Sequence, residues 1–433
     1  MFTHRMIILS IRFSGLIDRS YSMNNRFFID FQEIREELVT QEKLYRNLTD
    51  GSVVVLNGKD RSIAIGKDLM VKVNTSIGCS SLKTFNTELE KLSFLAHLGY
   101  RPDAMMDLSI VRLKKPLYTF MIEEFGGPIG TLPHYLCYHP RHGIHPHQLL
   151  EEIEMQAEAG VSWMTLHVTV TKELYEEAQR LRITPVTARG GGLVIRDMYL
   201  HKRNEGIISL YFPEILNILK RKNITLSIGT VFRPATVVDA LDKVHRAEID
   251  LQGIYISEPK RQGIQVIMEG VGHMRLDKIG EYTNIIKSRY GIPMVPLGPI
   301  VSDAAVGADH ISNAIGAAYM AFIGGADMIN TVTREEHTRG VPTLDSLVEG
   351  LKSARIAAHS ANIAKFPSLD SVDKNIAQKR GKNYTCVVEG GLFSESSKLR
   401  FSMGCTRCGK ECPLLINFML DDTDKLSPNL DIS

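Results

Sequence analysis

From about residue 70 onward the chain repeats one unit: a short β-branched or apolar run, a polar or glycine-rich turn, then an apolar pattern at helical spacing. The runs are Leu69–Val73, Ala104–Leu108, Pro128–Thr131, Trp163–His167, Pro185–Ala188, Thr225–Ile228, Ile264–Met268, Val295–Leu297 and Met328–Val332. Short apolar runs bounded by turn residues read as buried strands. The helical patterns between them include Leu82–His97, Leu149–Glu158, Lys172–Leu181, Leu210–Arg221, Ala235–Val244 and Leu276–Tyr290. In the last of these Leu276, Ile279, Tyr282, Ile285 and Ile286 share one face. Strands that alternate with helices form parallel βα units. Nine candidates are close to eight, and roughly 290 residues of alternation suits a closed (β/α)8 barrel slightly better than an open doubly wound sheet.

The expected architecture is therefore α/β, a TIM-type barrel over residues 69–365. A small N-terminal segment precedes it at residues 1–68, with a helix near Phe31–Asn47 and a strand at Val53–Leu56. Residues 366–433 form a C-terminal tail with few regular patterns. No internal repeat or low-complexity tract interrupts this order.

Composition narrows the class of protein. With 51 Lys+Arg against 49 Asp+Glu, the net charge of +2 provides no general field to recruit nucleic acid or anionic lipid. The Met6–Ile11 run is cut short by Arg12 and lacks a small-residue cleavage site, so it reads neither as a signal peptide nor as a membrane span. Met23 offers a second start. A cytoplasmic enzyme with no membrane or nucleic-acid partner is expected.

In a parallel barrel, ligands meet the C-terminal ends of the strands. The polar residues there are Asn74, Asp107 with Ser109, Thr131 with Tyr135, His167, Arg189 with Gly190–Gly192, Arg233, Glu269 with His273, and Glu336 with His337. Arg189-Gly-Gly-Gly192 sets a guanidinium beside backbone without side chains, which suits a phosphate and equally describes a plain flexible turn. Glu269-Gly-Val-Gly-His273 lets a carboxylate and an imidazole converge, and His337 offers a second imidazole from a neighbouring unit. Two histidines with an open position resemble a metal site in ligand type; helix-cap and packing roles are the plainer alternative.

Three of the six cysteines lie within eight residues of the tail, in Cys405-Thr-Arg-Cys408-Gly-Lys-Glu-Cys412. Three thiolates from one loop can hold three irons of a 4Fe-4S cluster and leave the fourth open. A structural zinc would need a fourth ligand, and the nearest upstream cysteine is Cys386. A disulfide fits least, because nothing else looks secreted.

Taken in order, Leu69–Gly78, Met106–Ser109, Pro128–Pro133, Arg189–Gly191, Val266–His273, Leu297–Pro299, Asp309–Ala317 and Val332–His337 resemble the radical S-adenosylmethionine enzymes of the phosphomethylpyrimidine synthase type. The likeness runs from Gly51 to Lys365 and resumes at the cysteines. It implies a barrel that binds 5-aminoimidazole ribotide, with a tail that carries its cluster over an active site, that of a partner subunit. The open iron would chelate S-adenosylmethionine, and one electron from a ferredoxin or flavodoxin would release a radical that takes hydrogen from the ribotide. Met106, Tyr135, His167, Ala188, Arg189, Gly190, Arg233 and Glu269 fall at substrate positions of that family. Glu269, Cys405, Cys408 and Cys412 fall at its catalytic positions, and His273 and His337 at those of a second metal, zinc. A homodimer, or a heteromer with a paralogue, is implied.

The departures are informative. The thiamine-pathway enzymes have Asn at Ser76, Asp-Gly-Leu-Arg at Thr230–Arg233, Tyr at Val295, Cys-Tyr at Asn330-Thr331, and four residues rather than three before the last cluster cysteine. Several polar groups around one ligand have become apolar while the phosphate and metal groups remain. That pattern resembles the 5-hydroxybenzimidazole synthases of anaerobic cobamide (vitamin B12) synthesis, with the thiamine pyrimidine as the alternative product. A reading from another class is a two-histidine barrel hydrolase or lyase with a structural zinc in its tail.

Overall fold

A computed structural model describes residues 39–338, 340–383, 385–386, 388–393 and 407–416. The strands among them are β1 Val53–Leu56, β2 Ile63–Gly66, β3 Lys72–Ile77, β4 Ala104–Asp107, β5 Ile129–Thr131, β6 Tyr138–His139, β7 Gly143–Ile144, β8 Trp163–Leu166, β9 Thr225–Ile228, β10 Val266–Glu269, β11 Met294–Val295 and β12 Met328–Asn330. Eight of these form one parallel sheet in the order β11-β10-β9-β8-β5-β4-β3-β12. Each neighbour but one is next in sequence along the barrel, as right-handed βα crossovers produce.

The sheet nearly closes into a barrel, and side chains complete the seam between β11 and β12. At one end Asp327 N–H donates to Met294 O at 2.9 Å, while the Asp327 carboxylate accepts from Met294 N–H at 2.8 Å. At the other, Asn330 Nδ2 donates to Val295 O at 3.2 Å and Pro296 O at 2.8 Å. The Asn330 side-chain oxygen accepts from Asn74 Nδ2 across β3 at 2.7 Å. An amide can serve three partners at once because it carries both donors and acceptor.

The hairpin β1–β2 seals the barrel floor. Its residues alternate with the pleat: Val54, Leu56, Ile63 and Ile65 pack with inward-facing Ala104, Trp163, Ile267, Val295 and Met328. Val53, Val55 and Ala64 face the other way, toward Leu44 and Leu48 of the helix Gln41–Asp50. Gln265, one residue before β10, bonds Val55 N–H at 2.8 Å and Val55 O at 3.0 Å. Ser162, one residue before β8, donates to Asn57 O. Both anchors lie at the N-terminal ends of strands, so the opposite rim stays free.

Eight of the nine expected strands are present; Pro185–Ala188 is not one of them. It is an irregular approach to the helix Arg189–Leu200, with Ala188 at its N-cap, because the barrel already has its eight strands. The expected helix at Ala235–Val244 is likewise replaced. A 3-10 turn at Val237–Asp239 and Leu241 at φ 59° interrupt the chain, and the helix begins at Lys243 with Asp242 accepting from His245 N–H at 2.8 Å. In Leu276–Arg289 the buried face is Ile279, Tyr282, Thr283 and Ile286, while Leu276 is exposed. The N-terminal helix spans Gln41–Asp50, and the part of the expected helix before residue 39 lies outside the described residues. No described helix is long and apolar enough to cross a membrane.

Candidate active site

Residues from four strand ends meet at the rim. His167 follows β8, Thr230 and Arg233 follow β9, Glu269 ends β10, and Tyr135 stands in the short helix Pro133–Cys137 after β5. Glu269 is the hub. Its Oε2 accepts from Thr230 N–H at 2.9 Å, stands 3.0 Å from Arg233 Nη1 and lies 3.7 Å from His167 Nε2. Thr230 Oγ1 also donates to the Glu269 carbonyl. The Arg233 contact is a close ion pair without hydrogen-bond alignment, so Arg233 Nη1 is a buried donor with an ionic partner but no hydrogen bond. Such a group is costly to bury and is satisfied when a ligand supplies an acceptor.

His167 is 2% exposed, and burial with the Arg233 charge pushes its pKa down to about 3. It is therefore a neutral imidazole at physiological pH, and its Nδ1 has no partner. Gly190 explains how close the rim packs: a Cβ there would lie 2.4 Å from His167 Cε1 and 2.6 Å from His134 Nε2. The glycine run expected in a loop forms the first turn of the helix Arg189–Leu200. This puts Arg189, exposed, at a helix N-terminus whose dipole and free N–H groups favour an anion. The Arg189 guanidinium lies 5.8 Å from the Tyr135 ring centroid. Tyr135 is buried, which raises its pKa to about 12 and keeps its phenol protonated. Ala188 is buried at the start of this helix, and Met106, on β4, packs against the floor cluster.

The structure also pairs the two histidines from the metal reading. His273 and His337 meet edge to face with ring centroids 4.8 Å apart. His273 Nδ1 bonds Asp303 Oδ1 at 2.7 Å, and His337 Nδ1 bonds Asp309 Oδ1 at 2.8 Å. A carboxylate on one ring nitrogen fixes the tautomer and orientation of a metal-binding imidazole, leaving Nε2 as the ligand atom. Burial lowers the His273 pKa against the pull of Asp303, which favours the neutral ring a metal requires. Among the described residues no group of three His, Cys, Asp or Glu side chains converges for a metal. The two imidazoles are one ligand short of the three protein ligands that a catalytic zinc usually takes. His310 is buried elsewhere, its Nε2 3.6 Å from Glu349.

Of the other rim residues, Thr131 is buried with its hydroxyl lacking a hydrogen-bond partner. Asn74 belongs to the seam, and Asp107 accepts from Ser109 N–H at 2.8 Å inside its own turn. Glu336 is exposed beside the His337 turn. Sequence reasoning missed Asp303, Asp309, Thr230 as a donor, and His134, which is fully buried with both ring nitrogens unpartnered. Asp309 carried a faint signal as the first residue of a helix beside His310; Asp303 carried none.

In the tail, Cys408 is exposed and Cys412 buried on either side of the 3-10 turn Gly409–Glu411, where Gly409 takes φ 52°. Cys412 N–H closes the turn onto Gly409 O at 3.3 Å. Cys405 lies outside the described residues. A turn that holds two free thiols a few residues apart fits the cysteine set of a cluster.

The fold and the rim define a barrel enzyme of the (β/α)8 type, whose sequence carries three cysteines in its tail. The sequence matches the Radical SAM ThiC family over residues 30–418, and the chain belongs to that family. It is 33% identical over 405 residues to a phosphomethylpyrimidine synthase of Carboxydothermus hydrogenoformans, covering 88% of this chain and 93% of that one. It is similar to two proteins of Moorella thermoacetica. The 5-hydroxybenzimidazole synthase BzaA is 31% identical over 88% of this chain and 92% of its own; a phosphomethylpyrimidine synthase is 32% identical over 88% and 93%. The chain is accordingly a radical S-adenosylmethionine enzyme, and the family implies a 4Fe-4S cluster and S-adenosylmethionine. The hydrolase reading with a structural zinc tail gives way to this membership.

Proposed function

We propose that the chain is a lyase that converts 5-aminoimidazole ribotide to 5-hydroxybenzimidazole for the lower ligand of anaerobic cobamides. The observation that carries this reading is the fate of Asn330. Where the thiamine-pathway enzymes place a Cys-Tyr pair, this chain spends the Asn330 amide on the barrel seam, and Val295 beside it is buried among Met106, Trp163 and Ile267. The floor cluster that holds Val295 is apolar beneath the rim, so a ribotide radical held at the rim meets different neighbours on that side. The thiamine pyrimidine is the second reading, favoured by the names of most of the relatives found.

In this reading Arg189 and the helix N-terminus take the phosphate. Arg233 is already paired with Glu269 through Nη1, so it is a secondary phosphate partner that meets the ribose or phosphate edge. Glu269 accepts from the ribose or amino group, Tyr135 donates its phenol, and neutral His167 orients the heterocycle without adding charge. Gly190, Ala188 and Met106 shape the wall. His273 and His337 hold a divalent metal, zinc by ligand type, and Cys405, Cys408 and Cys412 hold the cluster. When bound, the cluster and S-adenosylmethionine supply the radical that removes hydrogen from the ribotide. The sealed floor and tight packing keep water from the reacting carbon. The barrel spans 69–365, and the tail acts on a second copy or a paralogue in the cytoplasm, with electrons from a ferredoxin or flavodoxin.

Anaerobic turnover with aminoimidazole ribotide, S-adenosylmethionine and dithionite, followed by mass analysis, tests the reading. Hydroxybenzimidazole is expected. The hydroxymethylpyrimidine phosphate would replace it with the second reading, and no 5'-deoxyadenosine from a cluster-loaded protein would overturn both.

A further inference from the structure

The loop after β9 reaches Glu269 twice, through Thr230 and through Arg233. It is gripped from behind by residues of two other segments, Glu248 and Arg182, each held in turn by a further partner. Glu248, on the helix Lys243–Arg261, is fully buried. Its Oε1 accepts from Val231 N–H at 2.6 Å and from the Thr169 hydroxyl at 2.7 Å, and its Oε2 accepts from Phe232 N–H at 2.9 Å. At the next peptide, Phe232–Arg233, Arg182 Nη1 donates to Phe232 O at 2.8 Å. Arg182 is itself forked on Asp242, with Nε and Nη2 each 2.7 Å from a carboxylate oxygen.

We propose that Glu248 and Arg182 act as positioning residues: together they clamp the Val231–Phe232 backbone and thereby set Arg233 and Thr230 against Glu269. The inference rests on reading Arg233 and Glu269 as ribotide contacts. A buried carboxylate is tolerated when several donors converge on it, and three converge here. Two of those donors are consecutive main-chain N–H groups, which fix the peptide plane as well as its place. Phe232 is thus held at N–H by the Glu248 carboxyl and at C=O by the Arg182 guanidinium. The next residue is Arg233, and the preceding pair ends in Thr230, so a slackened peptide moves both partners of Glu269 together.

Glu248→Gln keeps the shape and turns one acceptor into an NH2 group that faces a backbone N–H. Hydrogen exchange of the segment spanning residues 229–233 reads the clamp without any ligand. Calorimetric affinity for aminoimidazole ribotide, in Glu248→Gln, Arg233→Ala and the double variant, reads what the clamp does for binding. Faster exchange confined to this loop is expected, with about tenfold weaker ribotide binding in the Arg233 background and little further loss in the Arg233→Ala background, as coupled residues behave. Unchanged exchange, or the same loss in both backgrounds, would overturn the proposal. If wild-type protein does not bind the ribotide while Glu248→Gln still loosens the loop, the clamp stands and the ligand assignment falls. Thr169→Val removes only the hydroxyl donor and gives the same comparison in smaller measure if Glu248→Gln fails to fold.

Discussion

Asp303 holds His273 as Asp309 holds His337, each through Nδ1, at 2.7 and 2.8 Å. The symmetry of these two contacts predicts how metal affinity responds to mutation. Asp303→Asn should weaken divalent-metal binding by about 10- to 100-fold, since outer partners of metal ligands carry effects of that size. His273→Ala and His337→Ala should abolish it. Chelator competition on purified protein measures all three; undiminished affinity in both alanine variants would relocate the metal, with buried His310 the first place to look.

Gly190→Ala puts a methyl group 2.4 to 2.6 Å from atoms of His167 and His134. Neither imidazole ends in a flexible chain that can swing aside. Overpacking of this kind costs about 1–3 kcal/mol, and the displaced His167 should lower ribotide affinity beyond any change in melting temperature. Isothermal titration beside a thermal melt checks it, and unaltered affinity would remove His167 from the site.

Asn330→Ala strips the seam of its amide and leaves Asn74 Nδ2 and the Val295 and Pro296 carbonyls without that partner. Each buried polar group left unpaired costs about 1–3 kcal/mol. The variant should melt several degrees below wild type while β1–β2 still docks on the floor. A melting point equal to wild type would show that the main chain closes the barrel unaided.

Acid should act through buried histidines. Burial pushes His167 and His245 down to about 3, and lowers His134 well below the usual histidine range. Unfolded, these rings take up protons near pH 6.5, so the unfolded state binds more protons and stability falls as pH drops from about 6.5 toward 3. Glu248 and Asp107, raised by burial to about 7 and about 6, pull the other way in the upper part of that window. His245→Phe isolates one ring: its stability should decline less steeply than wild type, by about 1.4 kcal/mol per pH unit. Denaturant melts from pH 6.5 to 4.5 measure the slopes, and parallel curves would refute the assignment.

The barrel was readable because its strands are fully buried and its helices amphipathic, which leaves the alternation in plain apolar pattern. Val53–Leu56 and Lys172–Leu181 fall where the residues alone put them. Pro185–Ala188 has the composition of a strand, yet strand number is decided by barrel closure, a property of the whole sheet. Leu241 at φ 59° is equally invisible locally, because it enters the Asp242-capped helix with its N–H on His245 Nδ1 at 3.3 Å. At the site, the ionisable residues announced themselves by type and place at strand ends. Their partners did not: Asp303 and Thr230 look like any loop residues until the fold brings them within hydrogen-bond reach.

The hairpin β1–β2 has one more consequence. Among the described residues the lower mouth of the barrel is plugged by Val54, Leu56, Ile63 and Ile65, which leaves the upper rim for traffic. In the proposed reaction the ribotide enters, and a smaller, reshaped product leaves, by that same upper opening. Anything laid across that opening to shield the chemistry has to be withdrawn once per cycle, so the pace of the enzyme is tied to a door as well as to a bond.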